Sequence, residues 1–485
     1  MVDFRIVSKI IGQLLLLESG LMTVCVVMAL CYGEDDLTAL SVSVVATVCA
    51  GLACKYFGRN AGNDMNRRGA YLVVTATWVV FSFFGMLPFL IGGYITNVAD
   101  AYFETMSGFT TTGATILDNV EALPHGILFW RSLTQWIGGL GIVFFTIAVL
   151  PSVVGGSLRV FAAEATGPMK TKMHPRLSMN AKWIWTIYIA LTVACAFAFK
   201  IAGMDWFDSA NYSMSTTATG GFSTHNDSTV FFHSAAIEYV AIFFQFIAGM
   251  NFTLLYIAIF KGNVRKLAHN SEFRLYLTVV AVATVWIMWL LMSRCGYDCA
   301  HALRSALFQV VSFITTTGMF NDNAEAWPHI TWVILSGCMF LGACAGSTSG
   351  GFKCVRGVMT LKVMRNEFRR ILHPNAVLPI KMNGQNVPQS HVPTLLTFFV
   401  FYIIVCLIAA VIMIAAGIDN TNAVTIALSC MSNVGPTLGT AIGPVMSWST
   451  LPDGIKWVCS FLMLVGRLEI MSVLVLFTRS FWKDS

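Results

Sequence analysis

The sequence predicts an all-α integral membrane protein of ten transmembrane helices. Two stand at the N-terminus, and eight form four parallel repeats of span, short helix and span, set pseudo-fourfold about one axis. Three observations predict this. The 485 residues are 56% hydrophobic and only 11% charged, whereas a soluble chain of this length needs about a quarter charged residues to cover its surface. Apolar runs long enough to cross a bilayer, about 20 residues each, recur along the whole chain. Between them a polar, glycine-containing string is written four times.

The first two spans occupy residues 10–32 and 38–54. The first is long, contains Glu18 and lacks a small-residue cleavage site, so no cleavable signal peptide is expected. Glu18 is expected to pair within this N-terminal bundle. Spans at 71–96, 182–202, 275–293 and 394–416 open the four repeats, and spans at 126–150, 236–260, 330–352 and 455–478 close them. The organisation that follows is an N-terminal two-helix membrane domain, 1–69, and repeats at 70–181, 182–274, 275–392 and 393–485.

Lysine and arginine placement sets the orientation. Most of the 30 basic residues fall on one face: Arg5, Lys9, the loop from Lys55 to Arg68, the loop from Arg159 to Lys182, the loop from Lys261 to Arg274, the stretch from Lys353 to Lys381, and Arg479 with Lys483. Both termini are therefore expected to be cytoplasmic, with the strings facing outside. The net charge of +6 is a topology signal and implies no nucleic-acid partner. The 13 cysteines sit mostly inside apolar runs as small core residues. Cys295 and Cys299 share the loop CGYDC and are read as two unpaired thiols rather than a disulfide.

The strings read TTTGAT around Gly113, TATGGFS around Gly220, TTTGMF around Gly318 and SNVGPT around Gly435. Three residues before each glycine stands a hydroxyl: Thr110, Thr217, Thr315 and Ser432. One residue before it stands a β-branched side chain: Thr112, Thr219, Thr317 and Val434. After the first and third strings come EALPH and EAWPH, echoed in the fourth by LPDG. The closing spans then align QWIGGLG, QFIAGMN, MFLGACA and LMLVGRL on Gly139, Gly249, Ala343 and Gly466. Residues before each string, such as 101–109 and 303–313, are helix-like but too few to cross, with Asp100, Asp208, Ser305 and Asn422 as N-caps.

A half-span helix followed by irregular backbone is tolerated at membrane depth only where it lines a water-filled path. Repeats of parallel orientation place four such segments around an axis along the membrane normal, and four re-entrant segments around one axis enclose one pore. Extended backbone there supplies stacked rings of carbonyl oxygens able to replace the water shell of a monovalent cation. Glycine is required where φ must be positive for successive carbonyls to face the same way. The candidate ion-coordinating residues are Thr111, Thr112 and Gly113; Ala218, Thr219 and Gly220; Thr316, Thr317 and Gly318; and Asn433, Val434 and Gly435. The strings carry no acidic ring, which argues against a divalent cation, and no basic ring, which argues against an anion. The negative C-terminal ends of the short helices favour a cation. The alternative is that the strings are helix-breaking kinks that merely pack spans together, and the fourfold recurrence argues against it.

The closing span of the third repeat is interrupted by GACAGSTSGGFK, Gly342 to Lys353, a composition that disfavours helix. On residues alone, a pore-obstructing loop and close helix packing through small residues are equally good readings. Arg467 lies too deep in the last span to reach either surface, and such a residue faces protein or water. An electrostatic barrier in the ion path and a structural ion pair with a buried acid such as Glu469 both fit. Arg131 is expected to orient the string beside it, and His125 and His329 to cap short external loops without binding metal. No paired carboxylates, His–Cys cluster or nucleophile elbow lies in the spans, so no enzymatic role is expected. An ion-coupled carrier of a small solute is the other alternative, but it predicts inverted rather than parallel repeats.

Over essentially its whole length the chain resembles the Trk/Ktr/HKT superfamily of potassium transporters, and within it the bacterial TrkH type. The resemblance rests on the two extra N-terminal spans and on one string glycine per repeat, Gly113, Gly220, Gly318 and Gly435. It implies potassium uptake across a bacterial inner membrane, with the ion as substrate in a selectivity filter and no other cofactor. Serine replaces the first glycine in sodium-passing plant relatives, so Gly113 favours potassium. The resemblance also implies that Ala345, Gly346, Ser347, Thr348, Ser349, Gly350 and Gly351 form a gating loop beneath the filter; the residues themselves suggest that Arg467 anchors it. It implies a homodimer and a cytoplasmic, RCK-type (TrkA-like) nucleotide-binding regulatory subunit. The run Arg365 to Arg370 is a candidate docking surface for that partner, or simply a solvated basic loop.

Overall fold

The computed structural model describes residues 2–62, 65–141, 177–322, 326–376, 378–388, 391–438 and 447–483. Among the described residues the chain is all-α apart from one short hairpin. Six helices among the described residues are long and apolar enough to cross a membrane: Phe4–Tyr32, Asp36–Phe57, Arg67–Ile91, Ala181–Ala202, Ser271–Arg294 and His391–Ala415. They coincide with the two N-terminal spans and the four repeat-opening spans of the sequence reading.

The closing spans differ from continuous helices. In the second repeat α9 (Ala235–Ala248) and α10 (Phe252–Phe260) meet at 101°, and in the fourth Asp453–Arg467 and Ile470–Phe477 meet at 114°. The break in the second falls at Gly249–Asn251, where the Asn251 side chain caps the new helix by accepting from Thr253 N and Leu254 N. In the fourth it falls at Glu469, whose φ is +62°. In the third, helix stops at Leu341 and resumes at Cys354. In the first, helix runs His125–Leu140 and ends at Gly141; the remainder of that expected span, like the basic loop from Arg159 to Arg176, lies outside the described residues.

The elements run α1 (Phe4–Tyr32), α2 (Asp36–Phe57), α3 (Arg67–Gly85), α4 (Leu87–Ile91), α5 (Val98–Phe109), α6 (His125–Leu140), α7 (Leu177–Ala202) and α8 (Trp206–Ala218). After α9 and α10 come α11 (Val264–Ala268), α12 (Ser271–Arg294), α13 (Cys299–Ile314), α14 (His329–Leu341), α15 (Cys354–Leu372), β1 (Lys381–Met382) and β2 (Gln385–Asn386). The last repeat holds α16 (His391–Ala415), α17 (Asn420–Ser432), α18 (Asp453–Arg467) and α19 (Ile470–Leu474).

The four short helices are α5, α8, α13 and α17, and each begins earlier than the sequence suggests. Their N-caps are Asn97, Asp205, Asp298 and Asp419, accepting from Ala99 N at 2.9 Å, Asp208 N at 2.6 Å, Ala300 N at 3.2 Å and Thr421 N at 3.0 Å. The expected caps Asp100, Asp208, Ser305 and Asn422 lie inside the helices instead. A capping side chain must stand on extended backbone just outside the helix to reach the free amides, and in each case an Asx residue upstream does so. Asp100 turns to Lys456 of α18 at 2.5 Å.

Small residues let the closing helices approach the short ones. A β-carbon on Gly138 would stand 1.8 Å from Phe109 O, and one on Gly466 would stand 2.2 Å from Met431 O. By this contact Gly466 matches Gly138, not Gly139 as the aligned sequences suggested. Gly139 instead meets Ala218 of the next repeat, as Gly249 meets Thr315.

The N-terminal hairpin braces the first repeat. Glu34 accepts from His125 N at 2.6 Å and lies 2.7 Å from His125 Nδ1, at the start of α6. Glu18 does not pair as expected: it is fully buried, and neither carboxyl oxygen has a hydrogen-bond partner among the described residues. A β-carbon built on Gly85 would stand 3.5 Å from Glu18 Oε1. Cys295 and Cys299 are free thiols.

Candidate functional site

Each short helix ends in the same irregular turn. Thr111, Thr219, Thr316 and Asn433 take left-handed φ values of 53°, 54°, 58° and 56°, and two residues later glycines take φ of 82°, 84°, 76° and 96°. The intervening amides each reach back five residues: Thr112 N to Ser107 O, Gly220 N to Ser215 O, Thr317 N to Ser312 O and Val434 N to Ser429 O, at 2.8–3.1 Å. Left-handed threonine costs on the order of 1–3 kcal/mol and persists only where packing over-determines it. Threefold threonine and one asparagine at equivalent places mark a shared requirement.

This geometry moves the register of the second string by one residue. The left-handed glycine there is Gly221, not Gly220, so the equivalent triplet is Thr219, Gly220 and Gly221 rather than Ala218, Thr219 and Gly220. Ala218 is the last residue of α8, in the place of Thr110, Thr315 and Ser432. The hydroxyl three residues before the glycine is therefore missing from the second string. In the other three strings the left-handed glycine is the one marked in the sequence, Gly113, Gly318 and Gly435.

The four strings close on one another. A β-carbon on Gly113 would lie 2.1 Å from Gly220 O, one on Gly221 2.1 Å from Thr317 O, one on Gly318 2.0 Å from Val434 O, and one on Gly435 2.4 Å from Thr112 O. The circuit of contacts runs from each repeat to the next and from the fourth back to the first. Only glycine fits at these four places, on steric and conformational grounds together. All four glycines line a single cavity of about 130 Å³.

Side chains behind the strings hold them apart from the core. In the first and third, hydroxyl pairs brace the turn: Thr110 with Thr112 and Thr315 with Thr317, both at 2.8 Å. The second uses Gln135 of α6. Its Nε2 donates to Gly220 O at 2.7 Å, while Oε1 accepts from Ser215 Oγ at 2.9 Å and Phe222 N at 3.1 Å. In the fourth, Asn433 Nδ2 donates to Thr112 Oγ1 at 3.0 Å and to Met463 O at 2.9 Å. Glu104, buried in α5, accepts from Ile116 N and Thr115 Oγ1, both at 3.0 Å, and pairs with Arg131 Nε at 2.9 Å. Arg131 in turn donates to Ser223 O at 3.0 Å, joining the first string to the second. Sequence reasoning missed Gln135 and Glu104; the available signal was a lone amide or acid inside an otherwise apolar helix.

At the mouth of the cavity His225 stacks on Phe231 and lies 3.0 Å from Asp208 Oδ2 and 3.3 Å from Glu121 Oε1. Burial disfavours the imidazolium, but bonds to the two carboxylates outweigh it and hold His225 above its ordinary value. Burial likewise pushes the Asp208 carboxyl up, and hydrogen bonds from His225 and from Thr224 at 2.6 Å reverse the effect and hold it low.

On the other side of the strings lies the stretch from Gly342 to Lys353. Gly342, Gly346, Gly351 and Lys353 have positive φ, so the chain cannot continue as helix. The residues Ala345 to Gly351 run directly against the string bases. Thr348 Oγ1 donates to Thr217 O at 3.1 Å and Ala248 O at 3.3 Å, and accepts from Thr219 Oγ1 at 3.3 Å. Gly350 N donates to Thr316 Oγ1 at 2.7 Å, and a β-carbon on Gly350 would stand 2.1 Å from Ser432 O. Asn251 Nδ2 donates to Ala345 O at 2.6 Å. Arg467 reaches across: Nη1 donates to Thr348 O at 2.8 Å, and Nη2 to Gly138 O and Gly139 O at 2.6 Å. Glu469, the acid considered for Arg467, forms a salt bridge with Arg356 at 2.7 Å. Lys353, buried at the end of the stretch, donates Nζ to Ser349 O.

Residues 39–484 match the family model described as TrkH, cation transport protein. The chain is 36% identical over 488 residues to the Trk system potassium uptake protein TrkH of Salmonella typhimurium, covering 99% of this chain and 100% of that protein. It is 31% identical over 485 residues to the Trk system potassium uptake protein TrkG of Escherichia coli, covering 99% of each. Among solved structures, the crystal structure of the potassium transporter TrkH from Vibrio parahaemolyticus superposes with a TM-score of 0.89 at 36% identity, covering 99% of this chain and 100% of that one.

Proposed function

The chain belongs to the TrkH family of cation transport proteins, and from that premise we propose that it takes up potassium through a single pore whose selectivity filter is the closed circuit of four strings. The observation that carries this reading is the ring of contacts from Gly113 to Gly220 O, Gly221 to Thr317 O, Gly318 to Val434 O and Gly435 to Thr112 O. Such a ring brings backbone carbonyls from all four repeats to one level, where together they replace the water around a dehydrated monovalent cation. Potassium is the substrate. The coordinating triplets are Thr111–Gly113, Thr219–Gly221, Thr316–Gly318 and Asn433–Gly435, belonging to repeats 70–181, 182–274, 275–392 and 393–485.

The stretch Ala345–Gly351 acts as the gate. It closes the path under the filter because it bonds to the second and third strings and packs on the fourth, with Arg467 anchoring it and placing a positive charge beside the ion path. The protein sits in the inner membrane with both termini cytoplasmic and works as a homodimer. A TrkA-like nucleotide-binding partner on the cytoplasmic side moves the gate. The carrier reading is weaker, since parallel units around a common cavity offer no pair of inverted halves to alternate.

The test is cation flux into proteoliposomes, comparing the unmodified chain with Gly113→Ser. Potassium over sodium preference in the unmodified chain, relaxed by the serine, is the expected result. Absence of cation flux, with the cytoplasmic partner present, would move the carrier reading forward.

A further inference from the structure

The Ala345–Gly351 loop is tied at both ends by one side chain from outside it. Glu272 stands in the first turn of α12 and is 5% exposed. Its Oε1 accepts from Ala345 N at 2.5 Å, where the loop begins, and from Val355 N at 3.1 Å, where α15 restarts. A single carboxylate oxygen thus spans the whole stretch. Both donors are buried backbone amides, and leaving such a donor unsatisfied costs its full desolvation penalty.

The residue before Glu272 is held from elsewhere. Ser271 N donates to Asn383 Oδ1 at 2.8 Å. Asn383 and Gly384 form the turn of the β1–β2 hairpin, with φ of 51° and 83° and the register Lys381↔Asn386 and Met382↔Gln385. Left-handed values at both central residues, with the pair Asn-Gly, define a type I′ turn. The hairpin is fastened to the body of α15: Lys362 Nζ donates to Lys381 O at 2.5 Å and Asn366 Nδ2 to Leu378 O at 3.1 Å. A closed mechanical circuit results. It runs from α15 through the hairpin to the start of α12, and from Glu272 back to both the loop and the first turn of α15.

We propose that Glu272 is the latch of the loop, a positioning residue that holds both ends of it in place. The β1–β2 hairpin is the lever through which displacement of α15 releases the latch. This rests on reading the loop as the gate. Pulling on α15 shifts the hairpin, tilts the N-terminus of α12 through Asn383, and withdraws the one oxygen that both Ala345 N and Val355 N require. The stretch then loses its bonds at Ala345 N and Val355 N together, while Asn251, Thr316 and Arg467, with the bonds of Thr348, still hold it.

Single-channel recording in planar bilayers of the full chain tests this, with open probability, unitary conductance and potassium-to-sodium permeability ratio read separately. Glu272→Ala raises open probability about tenfold or more, the weakening expected from stranding two buried amide donors, and leaves conductance and permeability ratio unchanged. Glu272→Gln gives a smaller rise, since its amide oxygen still accepts. Asn383→Ala, on the exposed hairpin, raises open probability too. Asn383→Asp, which keeps the acceptor, restores it, and Asn383→Ala adds nothing to Glu272→Ala.

Unchanged open probability in Glu272→Ala, or a change confined to conductance or permeability ratio, overturns the latch. Should Glu272→Ala fail to assemble, Glu272→Gln and Asn383→Ala decide alone, and no change in both overturns it. Arg467→Ala separates the two levels. If it raises flux while the Glu272 variants do not, the gate stands and the latch falls; if none of them alters flux, the gate reading itself falls.

Discussion

Gln135 occupies the room that a side chain on Gly220 would need. A β-carbon there would stand 2.4 Å from Gln135 Cδ, while Gln135 Nε2 bonds Gly220 O at 2.7 Å. The other strings carry Thr112, Thr317 or Val434 at this place. The second string instead has a glycine pair, with an amide from the neighbouring repeat doing the bracing.

This pairing predicts a compensating double substitution. Gly220→Thr collides with the amide and abolishes potassium flux in proteoliposomes. Gln135→Ala with Gly220→Thr recovers a substantial part of it, because the threonine enters the vacated space. Contacting residues of this kind show interaction energies of about 0.5–3 kcal/mol in double-mutant cycles. Strictly additive losses would remove Gln135 from this role.

Serine at Gly113 is both strained at φ 82° and forced against Gly220 O. Gly113→Ser lowers the potassium-to-sodium preference about tenfold, equivalent to about 1.4 kcal/mol. Gly221→Ser lowers it comparably, because Gly221 is the equivalent residue of the second repeat. Ion-competition flux assays with both variants check the register as well as the filter.

Arg467 bonds the loop at Thr348 O and the end of α6 at Gly138 O and Gly139 O. Arg467→Ala removes three charge-assisted bonds and a half-buried positive charge, so potassium current rises by roughly an order of magnitude or more. Planar-bilayer recording measures it, and an unchanged current and gating pattern would sink the barrier role.

Glu104 and Arg131 are 1% and 2% exposed and pair at 2.9 Å behind the first string. Glu104→Gln strands the buried guanidinium, a loss of about 3–5 kcal/mol when one partner of such a pair is removed. Thermal unfolding in detergent shows a lower midpoint for Glu104→Gln and a smaller fall for the double substitution with Arg131→Met.

The His225–Asp208 pair gives the mouth a defined pH response. His225 is held above its ordinary value, so its contribution is full below the unfolded-state value and is lost as pH rises through the folded one. Asp208 is held low, so its contribution is present above its unfolded-state value and is lost only as pH falls through the depressed folded one. Amide hydrogen exchange of residues 222–232, corrected for intrinsic rates, therefore speeds up as pH rises past the histidine range. His225→Ala flattens that dependence, whereas an unaltered profile in the variant counts against the pair.

The sequence by itself determined that the chain lives in a membrane, where its long opening spans fall, and that four units repeat. These are local properties: a run of apolar residues and a recurring string need no partner to be legible. It also determined three of the four string registers, because Thr110–Gly113, Thr315–Gly318 and Ser432–Gly435 carry their own hydroxyl three residues before the glycine. The tertiary structure alone decided the second register. There Gln135, some 85 residues away along the chain, supplies the brace, so the local motif around Gly220 aligned on the wrong glycine. The same reason separates the two for Glu18, left without a hydrogen-bond partner among the described residues, and for Glu272 and Asn383. A buried polar group's role depends on which distant atoms the folded chain sets beside it, and hydrophobic patterning carries no record of that.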